Sequence, residues 1–235
     1  MIVMGLFKEF SVVFISFTLH EVGHLFFLKL FNYKINKITI YPFGGVIDFI
    51  NKPDFLYRYF FISIGGILVN FILLVFGYIF NLPLLIKINI IFIFFNLIPI
   101  YPLDGAKVLL CFMKFISPYY FAKKIIYYIS LFLSLVFFIF LFLNLNAYIF
   151  LFFLLIFCYL NYYGITKFHL EYNNFLLSRH INQNNKLKSK KIDKFNDPIK
   201  SIYYGYNMLF DFDGFILKEE EVLNKFFKNK NENLK

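Results

Sequence analysis

The sequence predicts an all-α polytopic membrane protein of about five transmembrane helices, with a re-entrant hairpin loop and a small α+β cytoplasmic tail. Of its 235 residues 60% are hydrophobic, and the mean hydropathy of +0.67 is too high for one soluble core of this size. Five segments approach the roughly 20 apolar residues that a spanning helix needs. Acidic residues are concentrated after these segments, where nine of the fourteen Asp and Glu follow residue 165.

The five predicted spans occupy the first two thirds of the chain. They are roughly Phe10 to Phe31, Tyr59 to Phe80, Leu84 to Leu103, Ile125 to Leu143 and Ala147 to Tyr163. The third is the least regular, because Pro99 and Pro102 each lack a backbone donor near its end. A broken helix at membrane depth is tolerated only where protein or a watery cavity covers it. The end of the third span is therefore a candidate site.

The distribution of Lys and Arg in the short loops predicts the orientation. One side carries only Lys8 and Lys87. The richer side comprises Lys34, Lys37, Lys52, Arg58, Lys107, Lys114, Lys123 and Lys124. We therefore expect the N-terminus outside, and the ends of the first and third spans in the cytoplasm with the tail. No cleavage site follows a short apolar core near Met1, so we predict no removable signal peptide.

The segment from Ile38 to Ile47 alternates weakly and contains Gly44-Gly45, which favours a hairpin. The alternative is a plain loop. In the second span, small and polar residues recur at helical spacing, and we interpret them first as a helix-packing stripe. They are Ser63, Gly65, Gly66 and Asn70.

The composition becomes polar after Gly164, which predicts a membrane domain over 1–165 and a basic tail over 166–235. Thirteen of the 24 Lys and Arg lie in this tail, but acids are interspersed among them. We therefore expect anionic headgroups or solvent at its surface and no nucleic acid. Residues 182–195 are predicted to be a mobile connector. A strand from Ile199, a hairpin turning at Asp213-Gly214 and a short helix over 218–227 follow.

The pentapeptide His20-Glu21-Val22-Gly23-His24 carries the chemistry of the first span. On a helix His20 and His24 lie one turn apart on one face, so that both imidazoles can bind one zinc ion. Glu21 projects near the same site, where a carboxylate can take a proton from a water whose pKa the metal lowers. The alternative is a pair of buried histidines satisfied by hydrogen bonds, but three titratable groups in an apolar helix are costly unless they are used.

A catalytic zinc needs a third protein ligand and an open position. Among the remaining His, Asp and Glu residues, only Asp104 lies directly at the end of a predicted span. The predicted topology places it on the same side of the membrane as His24. By elimination we predict Asp104 as the third ligand; the alternative is an ordinary acid at a helix end. The other candidates lie in the hairpin region or beyond the last span: Asp48, Asp54, His169, Glu171 and His180.

The HEVGH motif, paired with NLIPIYPLDG over 96–105, resembles the two-part signature of the site-2 protease family. The short loop after the first span, with its YPFGG segment over 41–45, most resembles the sporulation branch of that family. The resemblance extends over nearly the whole chain. The resemblance implies an intramembrane zinc metalloendopeptidase with His20, His24 and Asp104 as zinc ligands and Glu21 as the base. It also implies that Asn96 handles substrate.

The resemblance further implies a membrane-associated substrate cut at the cytoplasmic face, namely a pro-sigma factor during sporulation, and inhibitory membrane partners. Its C-terminal region would be a CBS domain, but the tail shows only one half of such a pattern, which argues against nucleotide binding. Ala106 stands where the family has a second glycine, and Gly66-Ile67 where it has Gly-Pro. Relatives carry a further span before the histidines, so either Met1 is internal to a longer gene or five spans suffice.

We predict that Gly44 and Gly45 of the hairpin, with Asn96, hold the substrate extended by strand addition. Two alternatives remain for the function. A metal carrier would show more intramembrane polar groups or an internal repeat, and the sequence shows neither. An inactive scaffold that keeps the metal site would not need Glu21.

Overall fold

The computed structural model describes residues 2–33, 35–41, 44–49, 56–142, 148–181, 187–212 and 214–232. The chain divides into two compact units, Met1–Leu109 and Leu110–Lys235. Helix α6, given below, continues through position 165, and the predicted division of the chain at that position stays a prediction.

Helices dominate the first unit and carry the predicted motifs. The elements are α1 (Ile2–Leu30), β1 (Ile35–Tyr41), β2 (Gly44–Phe49), α2 (Leu56–Ile79), α3 (Pro83–Leu97) and the start of α4 (Asp104–Ile116). Helix α2 packs on both α1 and α3. Gly23 and Gly65 let the backbones of α1 and α2 meet, since a Cβ on Gly23 would lie 2.4 Å from the Gly65 carbonyl oxygen. This contact agrees with the packing role predicted for Gly65 of the second span.

The predicted hairpin is present as two antiparallel strands, which excludes the plain loop. Strand β1 pairs with β2 in the register Tyr41 with Gly44 and Ile40 with Gly45. The tip, residues 42–43, lies outside the described residues, as does Asp54. Entry of this hairpin into a membrane stays a prediction.

Within the described residues, three helices are long and apolar enough to cross a membrane: Phe7–Leu30, Leu56–Ile79 and Tyr119–Phe137. They match the predicted first, second and fourth spans. Helix α3 is apolar but has only 15 residues. The predicted fifth span begins at Ala147, outside the described residues. The third and fifth spans therefore stay predictions.

The break predicted at the end of the third span is confirmed. Helix α3 ends at Leu97, and Ile98 is extended, the conformation that a following proline favours. The chain then turns and enters α4 at Asp104. A Cβ on Gly105 would lie 2.3 Å from the Leu97 carbonyl oxygen, so only glycine lets α4 begin this close to the end of α3.

The second unit joins two long helices to the tail. Its elements after α4 are α5 (Tyr119–Phe142), α6 (Tyr148–Ile181), β3 (Lys188–Ile192), β4 (Tyr206–Phe212), β5 (Phe215–Lys218) and α7 (Glu219–Glu232). Strand β4 pairs antiparallel with β5, and α7 follows, as predicted. The turn contains Gly214 at φ 100°, while Asp213 lies outside the described residues. Arg179 of α6 donates two hydrogen bonds of 2.8 Å to the Glu219 carboxylate, which attaches the tail to α6.

The strand predicted from Ile199 is wrong. Ile199 lies in a turn in which its N–H donates to Asp197 Oδ1 at 3.0 Å and the Ser201 N–H donates to the Asp197 carbonyl at 3.1 Å. The strand lies instead at Lys188–Ile192, within the predicted mobile connector, and pairs in parallel with β4. A short, lysine-rich strand shows little alternation of hydrophobic and polar residues. Its partner is also distant in sequence, so the sequence alone does not predict it.

Candidate metal centre

Helix α1 presents His20 and His24 on one face, toward α2. Both are buried, at 4% and 6% exposure, and their Nε2 atoms lie 3.3 Å apart. The one-turn spacing brings the two rings together, and the close approach of α1 and α2 shields them from solvent.

Asp104, at the start of α4, completes the cluster. Its Oδ2 lies 3.1 Å from His20 Nε2 and 3.0 Å from His24 Nε2, and the residue is 3% exposed. The break after Leu97 and the contact at Gly105 place this carboxylate against α1. Among the described residues, His20, His24 and Asp104 are the one group of three or more His, Cys, Asp or Glu side chains arranged to hold a metal ion.

Hydrogen bonds on the far side of each ring fix which nitrogen faces the cluster. His24 Nδ1 lies 2.7 Å from the carbonyl oxygen of Ile62, which can only accept, so Nδ1 is the protonated nitrogen. His20 Nδ1 lies 2.5 Å from Asn70 Oδ1. With these contacts, the neutral form of each ring carries its proton on Nδ1 and directs the Nε2 lone pair at the other ring and at Asp104.

This donor set fits a metal ion. Two imidazole nitrogens and a carboxylate oxygen at 3.0–3.3 Å repel one another unless a proton or a metal ion lies between them, and one metal ion can bind all three atoms at once. Asp104 Oδ2 is buried without a hydrogen-bond donor. Zinc bonds of about 2.0–2.1 Å in a tetrahedron separate ligand atoms by about 3.3 Å, close to the observed spacing. Two nitrogens and one oxygen are also a ligand set that zinc accepts.

Two charged side chains flank the cluster. Lys107, one turn along α4, donates from Nζ to Asp104 Oδ1 at 2.8 Å, which leaves Oδ2 to face the imidazoles. Glu21 follows His20 on α1, is half-buried and interacts electrostatically with both His20 and Lys107. A carboxylate in this place can exchange protons with a water at the cluster.

Gly66 of α2 provides the space that the two rings occupy. A Cβ there would lie 2.5 Å from His20 Nε2 and 2.6 Å from His24 Nε2. Any side chain at this position would displace both imidazoles. Gly66 is therefore part of the site, although it contributes no polar atom.

The remaining predicted residues lie around this centre or elsewhere. Asn96 is buried near the end of α3 and donates from Nδ2 to the Phe92 carbonyl at 3.1 Å. Gly44 and Gly45 begin β2. The rejected candidates His169, Glu171 and His180 lie in α6, where Glu171 accepts a hydrogen bond from the Tyr127 hydroxyl at 3.1 Å.

Sequence reasoning missed the hydrogen-bond partners of the cluster. Asn70 was interpreted as a packing residue, although its amide meets His20, and Asn89 and Lys107 were assigned no part in the site. The available signal was the cost of polar groups inside apolar spans, which applies to Asn70 and Asn89 as it does to the histidines.

Comparisons with known proteins agree with the geometry. The family model described as Peptidase family M50 matches residues 9–86 and 77–137. The zinc metalloprotease MJ0392 of Methanocaldococcus jannaschii is 38% identical over 114 residues, which is 43% of this chain and 32% of that protein. Stage IV sporulation protein FB of Bacillus subtilis is 29% identical over 119 residues, which is 45% of this chain and 40% of that protein.

The solved structure of the site-2 protease from Methanocaldococcus jannaschii superposes with a TM-score of 0.55 at 29% identity, covering 66% of this chain and 76% of that chain. The predicted resemblance to the site-2 protease family is confirmed, including its likeness to the sporulation protein. The chain matches less than half the length of the two curated relatives. With three apolar helices and this fold, it is an integral membrane protein.

Proposed function

We propose that this chain, which belongs to Peptidase family M50, is an intramembrane zinc metalloendopeptidase. One observation carries the proposal: the buried convergence of His20 Nε2, His24 Nε2 and Asp104 Oδ2 at 3.0–3.3 Å. Three lone-pair donors without a proton between them are stable only around a cation. The similarity to a zinc metalloprotease identifies zinc as the natural choice.

The three ligands hold the metal, and Glu21 moves protons. Zinc held by His20, His24 and Asp104 would act as a Lewis acid, which would lower the pKa of a water and polarise a peptide carbonyl. The Glu21 carboxylate takes a proton from the attacking water and returns it to the leaving amine as the peptide bond breaks. Because His20, His24 and Asp104 are nearly fully buried, the packed helices limit the water that reaches the reaction.

A helical substrate must unwind before its peptide bonds can be cut. We infer that the β1–β2 hairpin receives the unwound segment by strand addition, since a two-stranded sheet offers open edges. Gly44 and Gly45, where β2 begins, would let the substrate backbone come close, and Asn96 at the end of α3 would bind a substrate carbonyl.

The substrate class is inferred from the relative that acts in sporulation. We propose that the chain cleaves a membrane-associated pro-sigma factor at the cytoplasmic face. Inhibitory membrane proteins would restrain this activity. The basic loops and tail support the cytoplasmic placement.

Co-expression with candidate pro-sigma substrates tests the activity. The wild-type chain should process the substrate, whereas Glu21→Gln should not, although both retain zinc because Glu21 is not a ligand. Equal processing by both chains would defeat the protease proposal. Zinc flux into vesicles that is lost in His20→Ala, without any proteolysis, would favour a carrier.

A further inference from the structure

A continuous chain of polar side chains runs through the packed helices of the first unit and ends on His20. Ser16 of α1, Asn70 of α2 and Asn89 of α3 are each 0% exposed. Asn70 Nδ2 donates to Asn89 Oδ1 at 2.8 Å, and Asn89 Nδ2 donates to Ser16 Oγ at 3.2 Å. Buried amides inside apolar helices are costly unless they are paired and used.

The direction of this hydrogen-bond chain is fixed at one end by a backbone carbonyl. Asn89 Nδ2 also donates to the Leu85 carbonyl at 2.9 Å, and a carbonyl can only accept. Asn89 Oδ1 must therefore face Asn70, and Asn70 in turn presents Nδ2 to Asn89 and Oδ1 to His20. The proton at this contact belongs to His20 Nδ1, so that in the neutral imidazole Nε2 carries the lone pair and faces Asp104.

The two histidines obtain the same tautomer by different means. His24 donates to the Ile62 carbonyl, whose direction the helix fixes. His20 donates to a side-chain amide, which could present either its oxygen or its nitrogen if it were free to rotate. Asn89 removes that freedom by accepting from the nitrogen of Asn70.

We propose that Asn70 and Asn89 are positioning residues that hold His20 with Nδ1 protonated and Nε2 directed at the metal. Asn70 acts directly on the imidazole, and Asn89 acts by orienting Asn70. The proposal rests on the proposed function only in taking zinc as the ion. Partners of this kind generally contribute tenfold to a hundredfold to metal affinity.

The competing explanation is that these amides only join three helices. Under that explanation, their loss lowers the stability of the fold but leaves the metal affinity of the folded protein unchanged. The two roles therefore differ in a quantity that can be measured directly.

The test compares three leucine variants of the full chain, purified in detergent. Asn70→Leu should weaken the zinc dissociation constant, measured by chelator competition, by about 10–100-fold. Asn89→Leu should give a smaller loss in the same direction and should change the absorption spectrum of bound Co²⁺, which reports ligand geometry. Asn161→Leu is the matched control, because Asn161 is also fully buried and donates to a backbone carbonyl, that of Phe157, but lies in α6.

Wild-type zinc affinity in a folded Asn70→Leu chain would overturn the proposal, as would an equal loss in Asn161→Leu. Absence of zinc from the wild type would contradict the proposed function instead. If Asn70→Leu does not fold, ¹⁵N-histidine NMR of the metal-free wild type decides the question. At a pH at which the ring is neutral, a single proton on His20 Nδ1 is expected, and a single proton on Nε2 would refute the assignment.

Discussion

At the scale of single residues, the site depends on Gly66, which has no side chain, as much as on His20, His24 and Asp104. Gly66 leaves the space in which the two imidazoles meet, since a Cβ there would come within 2.6 Å of both Nε2 atoms. The sequence predicts Gly66 as part of a helix-packing stripe. In the structure, the atoms that leave no room for a methyl group at Gly66 belong to the His20 and His24 rings.

Gly66→Ala should therefore weaken zinc binding by at least about tenfold and remove proteolysis, because the added methyl displaces both ligands. The matched control is Gly77→Ala on the same helix, where the nearest atom would be the Ile86 side chain at 3.0 Å. Zinc titration of both purified variants checks the prediction. Similar affinities would show that the rings can shift at no cost.

The clustering of His20, His24 and Asp104 could be predicted from the sequence, because helical spacing and the cost of burying polar groups are local properties. His20 and His24 lie one turn apart, and the proline-broken segment before Asp104 marks an irregular end. The partners of His20 could not be predicted in the same way. Contacts of Asn70 and Asn89 depend on how α1, α2 and α3 pack, and a single sequence does not give that packing.

At the scale of elements, the three long apolar helices and the two short-strand hairpins agree with the sequence, whereas strand β3 does not. The hairpin at β1–β2 and the β4–β5–α7 order agree with the sequence, which has Gly44-Gly45 at the start of β2 and Asp213-Gly214 between β4 and β5. Strand β3 was missed because parallel pairing with β4 is a long-range interaction. The turn at Asp197 took the place of the strand predicted from Ile199.

Proline in the hairpin tests whether it holds the substrate. Ile38→Pro and Thr39→Pro are made separately, because neighbouring residues of a strand direct their N–H groups to opposite edges. At least one of them should abolish cleavage of a co-expressed substrate while the zinc content stays at the wild-type level. Ile38→Ala and Thr39→Ala keep the N–H and serve as controls. Full activity in both proline variants would discard the strand-addition role.

At the scale of the whole molecule, the placement of charge predicts the orientation in the membrane. The loops that flank the ends of the first and third spans and the tail carry most of the Lys and Arg. A fluorescent protein fused after Lys235 should therefore fluoresce in the cytoplasm, and an alkaline phosphatase fused there should be inactive. The reverse pattern would place the tail outside and contradict a cytoplasmic substrate.

Zinc-edge X-ray absorption of the purified full chain tests the central claim most directly. The structure predicts one zinc per chain with nitrogen and oxygen neighbours only, at about 2.0–2.2 Å, including two imidazoles. Asp104→Ala should reduce the zinc content or change the first coordination sphere. A sulfur neighbour from Cys111 or Cys158, or an unchanged spectrum in Asp104→Ala, would contradict the assignment of His20, His24 and Asp104 as the metal centre.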